Sequence, residues 1–154
     1  MLRRIVFGLV VGALSATTAF AQAAPAAAAQ AAPTARLFAS DAGMVLNFIK
    51  ADKTADFEAV IGKLKEALLK SEKPERKQQA ASWKVFKSPD PAQGGNVLYV
   101  FMIDPSVKGA DYTVSTILAE AFPTEVQALY KQYAEAYASG QNFVNLSLVS
   151  DLAK

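Results

Sequence analysis

The chain has 154 residues, of which 16 are basic and 14 acidic, and it contains no cysteine and no histidine. This length allows one domain with an adequate core. The missing residue types exclude disulfides, Ser-His-Asp and Cys-His catalysis, imidazole-bound zinc or copper, and His-ligated haem. Any catalysis would depend on carboxylates, lysine, tyrosine or a bound cofactor, and no residue pattern indicates a cofactor or a metal ion.

The first 21 residues have the layout of a secretory signal peptide. A basic start at residues 1–4 precedes an apolar run at 5–14, and small residues then lead to a small-x-small cleavage site at 19–21. A retained membrane anchor is the alternative, but the apolar run is shorter than the ~20 residues that span a bilayer. Cleavage after Ala21 would remove two arginines and leave as many basic as acidic residues. We therefore predict an exported protein, periplasmic or secreted, with no nucleic-acid partner and no membrane attachment after leader removal.

Two regions follow the leader. Residues 22–42 are almost entirely Ala, Gln and Pro as far as residue 35, and this composition predicts a disordered tether. Residues 43–154 carry the periodic apolar patterns of a folded domain.

The predicted sheet is built around residues 97–103, an unbroken apolar run between Gly94-Gly95 and Pro105. A strand that is apolar on both faces belongs in the middle of a sheet that is covered on both sides. Residues 44–50 predict a second strand, because their side chains alternate between two faces. One face carries Met44, Leu46 and Phe48, and the other carries Val45, Asn47 and Ile49.

Two further strands and two helices complete the main pattern. Residues 83–87 alternate and are joined to the central strand by a Pro- and Gly-rich turn, which favours an antiparallel hairpin. Residues 142–149 alternate as the last strand. Apolar side chains at i, i+3, i+4, i+7 and i+11 predict one amphipathic helix from Phe57 and another from Val126.

Two shorter segments are also predicted to be helical. Residues 75–82 are strongly polar and predict a short helix with a solvated surface, with Pro74 at its first position. Residues 114–122 predict a helical segment that Asp111 caps and Pro123 interrupts.

The element order is β-α-β-β-α-β, so we predict an α+β domain with ferredoxin-like topology and an antiparallel sheet. Right-handed crossovers place both helices on one face of that sheet. The other face would then be bare and would include Val45, Ile49 and Phe143, a patch too large for a soluble monomer. This predicts a homodimer whose sheets meet face to face, unless a segment such as residues 36–42 covers the face.

With its doubly apolar third strand, this order resembles the dimeric α/β-barrel superfamily. That group includes cofactor-independent antibiotic-biosynthesis monooxygenases and NIPSNAP-like proteins. The resemblance covers about residues 43–148 and is one of architecture. It implies pairing of two sheets into a barrel, but it does not extend to members that depend on histidine, including those that bind haem.

Polar residues in the strands are the first candidates for a site. Asn47, Asn145 and Ser147 are predicted to share the face away from the helices, where they bind either a small ligand or one another and water. Two of the central strand's aromatics, Tyr99 and Phe101, are predicted to face the partner together with Trp83. Plain core packing is the alternative for these aromatics.

Another set of aromatic residues lies on the second helix, at Tyr130, Tyr133 and Tyr137. Their helical spacing favours a buried helix face over a stacking platform. Asp104 and Asp111 flank a loop, and strand termination and helix capping explain them better than a metal or proton-transfer site does.

Three functions remain open from the sequence. The first is a homodimeric binding module for a small, largely apolar ligand held between sheet and partner. The second is a cofactor-independent oxygenase, as the resemblance implies, with Asn47, Asn145 and Tyr99 as hydrogen-bonding groups. The third is a structural dimer with a filled interface.

Overall fold

The computed structural model describes residues 35–153. The predicted signal peptide, and the predicted tether as far as residue 34, lie outside the described residues. The main elements are β1 (Ala42–Ile49), α1 (Thr54–Lys70), α2 (Pro74–Ser82), β2 (Trp83–Pro91), β3 (Val97–Ile103), α3 (Val114–Ala121), α4 (Val126–Ala136) and β4 (Asn142–Leu146). In this part of the chain no helix is long and apolar enough to cross a membrane.

The four strands form one antiparallel sheet in the order β2-β3-β1-β4. The predicted β2–β3 hairpin and the central position of β3 are confirmed. With its helices, the sheet makes a small α+β domain that is compatible with the predicted ferredoxin-like fold.

The long first helix forms where the apolar periodicity predicts it. Phe57, Val60, Leu64 and Leu68 are all buried on one side of α1. Asp56 in the first turn and the basic Lys70 in the last turn both interact favourably with the helix dipole. The ring of Phe57 packs on the aromatics of β3 and α4, which joins the helix layer to the sheet.

The helices cover one face of the sheet, which we call the helix face. Its central residues are Val45, Asn47 and Ile49 of β1 together with Tyr99, Phe101 and Ile103 of β3, all buried. The predictions that Asn47, Tyr99, Phe101 and Trp83 lie on the face away from the helices, and that Val45, Ile49 and Phe143 are bare, are therefore wrong. For Tyr99 and Phe101 the alternative, plain core packing, is confirmed. Asn47 and Tyr99 pair directly and therefore share a face, but alternation within each strand does not determine which face the helices cover.

The opposite side of the sheet is the open sheet face. It carries three apolar pairs in register across β1 and β3: Met44 with Met102, Leu46 with Val100, and Phe48 with Leu98. All six side chains are half-buried. Phe86 of β2 extends this face, pairs with Val100 and is 54% exposed.

The described end of the predicted tether is packed against the domain. Phe38 is 2% exposed, stacks on Phe143 with ring centroids 4.1 Å apart, and contacts the edge of Tyr112. A Cβ atom at Gly43 would overlap the Phe38 ring, so this close approach requires glycine. The domain therefore begins before residue 43. Because Phe38 packs on the helix face, this segment does not cover the open sheet face.

Two other sequence predictions need correction. The polar helix α2 is not simply solvated, since Arg76, Gln79 and Ser82 are buried. Strand β4 ends at Leu146 and not at residue 149, because its partner β1 begins at Ala42, which pairs with Leu146. Residues 147–150 are consequently exposed.

Candidate binding site

A cleft of ≈ 530 Å³ opens on the helix side of the sheet, between the start of α3, helix α4 and the loop that follows α4. Its size falls within the usual range for small-molecule sites, roughly 300–1,000 Å³. Seven of its 18 lining residues are aromatic: Trp83, Phe101, Tyr112, Tyr130, Tyr133, Tyr137 and Phe143. This surface suits the apolar body of a ligand.

Three polar side chains of the lining, Tyr133, Tyr137 and Gln141, form a hydrogen-bonded group with Asn47, which is buried behind them and does not line the cleft. We call these four side chains the tyrosine cluster. The Tyr137 hydroxyl lies 2.9 Å from Asn47 Oδ1 and 2.6 Å from the Tyr133 hydroxyl. The Gln141 amide nitrogen lies 2.7 Å from Asn47 Oδ1, 2.8 Å from the Tyr137 hydroxyl and 3.0 Å from the Tyr133 hydroxyl. Side chains from β1, from α4 and from the segment that follows α4 thus meet in one hydrogen-bond network.

Asn47 fixes the direction of these hydrogen bonds. Its amide nitrogen donates to the backbone oxygens of Val45 and Tyr99, so its side-chain oxygen faces the cluster as an acceptor. A hydroxyl has a single proton, so if Tyr137 donates to Asn47, then Tyr133 is the donor in the bond between the two tyrosines. The buried asparagine is thereby fully paired.

Both phenols in the cluster are neutral over the physiological pH range. Burial raises the pKa of Tyr133 to about 12. Burial, reinforced by the neighbouring Tyr133, also raises the pKa of Tyr137 far above its ordinary value. The two hydroxyls can therefore orient a bound molecule as hydrogen-bonding groups but are poorly suited to act as bases at neutral pH.

Trp83 borders the cleft and has an unusual feature. Its indole N–H is buried and has no acceptor in the part of the chain that the structure describes. The ring is held by Phe101 and Tyr112, at centroid distances of 5.5 and 5.4 Å. An unpaired buried donor costs about 1–3 kcal/mol.

Arg36 lies at the rim of the cleft, and its backbone is fixed there. Its N–H donates to Asp111 Oδ1 at 2.8 Å and to Thr113 Oγ1 at 3.1 Å, and its carbonyl accepts the N–H of Tyr112 at 2.9 Å. Among the described residues that line the cleft, Arg36 is the one with a charged side chain.

The six residues predicted for a site divide into three groups. Trp83 and Phe101 line the cleft, and Asn47 is linked to it through Tyr137 and Gln141. The hydroxyl of Tyr99 instead donates to Glu58 of α1.

Asn145 and Ser147, the third group, lie elsewhere. The side-chain oxygen of Asn145 accepts the backbone N–H groups of Ala39 and Ser40, and the Ser147 hydroxyl lies 3.4 Å from the Ser40 hydroxyl. Asn47, Asn145 and Ser147 therefore do not share a site, and the hydrogen-bonding set Asn47, Asn145 and Tyr99 does not converge.

Sequence reasoning did not propose Arg36 or Gln141 for a site, and for the tyrosines it favoured a buried helix face over a stacking platform. An asparagine inside an apolar strand requires hydrogen-bond partners, and the tyrosine spacing on α4 was the available indication of them. The acidic loop residues do not converge. Asp111 binds backbone groups near α3, Lys108 pairs with Asp41, and the described residues contain no cluster of potential metal ligands.

Comparison with protein-family models, with curated proteins and with solved structures gives no match. The fold and the cleft define the class, a small α+β domain with an aromatic cleft beneath its second pair of helices. What this cleft does is therefore argued from its geometry and chemistry.

Proposed function

We propose that the protein is an exported binding module for a small, largely apolar molecule, and that the ligand occupies the aromatic cleft. The observation that carries this proposal is a cleft of ≈ 530 Å³ with aromatic walls, into whose lining Tyr133, Tyr137 and Gln141 of the tyrosine cluster bring polar groups. Aromatic walls with a few convergent polar groups are the usual composition of a small-molecule site. The site lies within one chain and not between two sheets.

Ligand binding can be followed by the emission of Trp83, the single tryptophan of the chain. A suitable neutral probe is 4-tert-butylbenzyl alcohol, which has an apolar body and one hydroxyl. We expect saturable changes in emission, with affinity weakened by about tenfold or more in Gly140→Leu. Gly140 lines the cleft, and a Cβ atom added there would meet no other atom within 4 Å, so a leucine side chain extends into open space.

The matched control for that experiment is Gly62→Leu. Gly62 lies on α1, is exposed, and likewise has free space around it. The control variant should bind as the wild type does. Equal affinity in Gly140→Leu and Gly62→Leu, or no saturable response in the wild type, would contradict binding in the cleft.

We further propose that two copies associate through the open sheet face, in the manner of a dimeric α/β barrel. The six apolar side chains that form the centre of this face support the proposal, since a contiguous apolar patch of this kind marks an interaction surface. A second copy fits it well, because a two-fold axis brings the same uncharged patch together from both sides.

Replacing Val100 with lysine should convert the dimer to a monomer. Val100 lies at the centre of the open sheet face and pairs with Leu46 and Phe86, so the new charge would be buried without a partner in the dimer. Light scattering over a dilution series should give the mass of two chains for the wild type and of one chain for Val100→Lys. Leu69→Lys, on the exposed side of α1, is the control and should stay dimeric. A monomeric wild type would refute this association.

A further inference from the structure

The rim of the cleft indicates the chemical class of the ligand. Resting on the proposed function, we infer that the ligand is an apolar carboxylate, whose negatively charged head pairs with Arg36 while its body lies on the aromatic floor. This assigns Arg36 as the residue that selects an anion over a neutral molecule of the same shape.

The position of Arg36 is set by the fold and not by a loose chain end. Three backbone hydrogen bonds hold residue 36 against residues 111–113, next to the start of α3. Two residues further on, Phe38 is buried between Phe143 and Tyr112, which anchors the segment on the helix face. The side chain of Arg36 is thus attached to a fixed point on the rim.

The charge of Arg36 is not neutralised within the cleft. No ion pair joins its guanidinium to a carboxylate anywhere in residues 35–153. Asp111 is the acid held next to its backbone, but the Oδ1 atom of Asp111 already accepts the N–H of Arg36 and both the N–H and the hydroxyl of Thr113. Asp111 also does not line the cleft.

Arg36 lines the same cleft as Tyr133, Tyr137 and Gln141 of the tyrosine cluster. Its positive charge opposes the effect of burial on the pKa of both Tyr133 and Tyr137. A carboxylate between them would accept charge-assisted hydrogen bonds from the planar guanidinium, which matches a carboxylate in a two-point geometry.

The test compares two probes of nearly the same shape, 4-tert-butylbenzoate and 4-tert-butylbenzyl alcohol, by calorimetry and by Trp83 emission. We expect the wild type to prefer the benzoate by about tenfold, and this preference to fall as salt rises. Arg36→Gln should lose the preference while keeping its affinity for the alcohol. Lys77→Gln removes an exposed positive charge on α2 and should behave as the wild type.

Equal affinity of the wild type for the two probes, or an undiminished preference in Arg36→Gln, would overturn the inference about the head group. If the alcohol still bound in those cases and Gly140→Leu still weakened it, the proposed function would stand. If neither probe bound the wild type, the proposed function would fail together with the inference.

Discussion

Replacing Glu120 with glutamine is expected to lower the free energy of unfolding by about 3 kcal/mol, because it leaves the buried Arg76 without a charged partner. Arg76 is 3% exposed, and its Nε and Nη2 atoms donate to the two Glu120 carboxylate oxygens at 3.1 and 3.0 Å. Its Nη1 atom donates to Gln79 and to the backbone oxygen of Asp111. The pair thereby joins α2 to α3 and to the chain segment beside the cleft.

Denaturant unfolding at one protein concentration measures this change. The control is Glu125→Gln, which removes a surface ion pair with Lys63 and should cost less than about 1 kcal/mol. Similar losses of stability in the two variants would show that the buried Arg76 does not need the charge of Glu120 as a partner.

The Arg76–Glu120 pair also predicts that the stability of the protein depends on pH. The hydrogen bonds from Arg76 hold the pKa of Glu120 below its ordinary value in the folded protein. The folded state therefore binds fewer protons than the unfolded state in the acid range, and stability rises with pH there. The contribution of the Arg76–Glu120 pair to the free energy of unfolding is complete above the ordinary carboxyl pKa. It is lost as the pH falls through the lowered pKa of Glu120. The stability gap between wild type and Glu120→Gln should shrink correspondingly at acid pH.

Phe38→Ala is expected to cost about 3 kcal/mol, since it removes a large buried ring and leaves a cavity. The ring stacks on Phe143 and contacts Tyr112, both of which line the cleft. The variant should also weaken benzoate binding more than alcohol binding, because the segment that carries Arg36 loses its anchor. Thermal unfolding and the two-probe titration measure these effects.

The neighbouring residue provides the control for Phe38. Leu37 is 50% exposed, so Leu37→Ala should change stability by no more than about 0.5 kcal/mol and leave both affinities unchanged. If the two alanine variants behaved alike, the segment before β1 would not be part of the folded domain.

Apolar periodicity was sufficient to predict the architecture. The unbroken apolar run at 97–103 became the central strand β3, and the stripe from Phe57 became α1. These signals are local, because a strand or helix buries one set of side chains whatever its neighbours are. The element order then determined the strand order of the sheet.

Alternation did not determine the face that the helices cover. Both sides of β1 and β3 are apolar, so an inward and an outward assignment fit the sequence equally well. The buried Asn47 distinguishes the two assignments only when its hydrogen-bond partners are known. Those partners, Tyr137 and Gln141, lie 90 and 94 residues away in the chain. Asn47, Tyr99 and Phe101 were therefore assigned to the wrong face of the sheet.

Local sequence patterns also could not predict the packing of residues in segments that resemble linkers or solvated polar runs. Arg36 follows an Ala- and Pro-rich stretch and gives no local indication that it belongs to a folded site. Arg76 lies in a polar run, and its burial depends on Glu120, 44 residues further along the chain. Long-range pairing of this kind leaves no periodicity in the sequence.

The most direct test of a ligand site inside the cleft is an amide chemical-shift titration of the protein with 4-tert-butylbenzoate. We expect shifts at residues 36, 112–115 and 139–143, together with the indole N–H of Trp83, and no shifts at the centre of the open sheet face. Shifts centred on Leu46, Val100 and Met102 would place the ligand between subunits and contradict binding in the cleft.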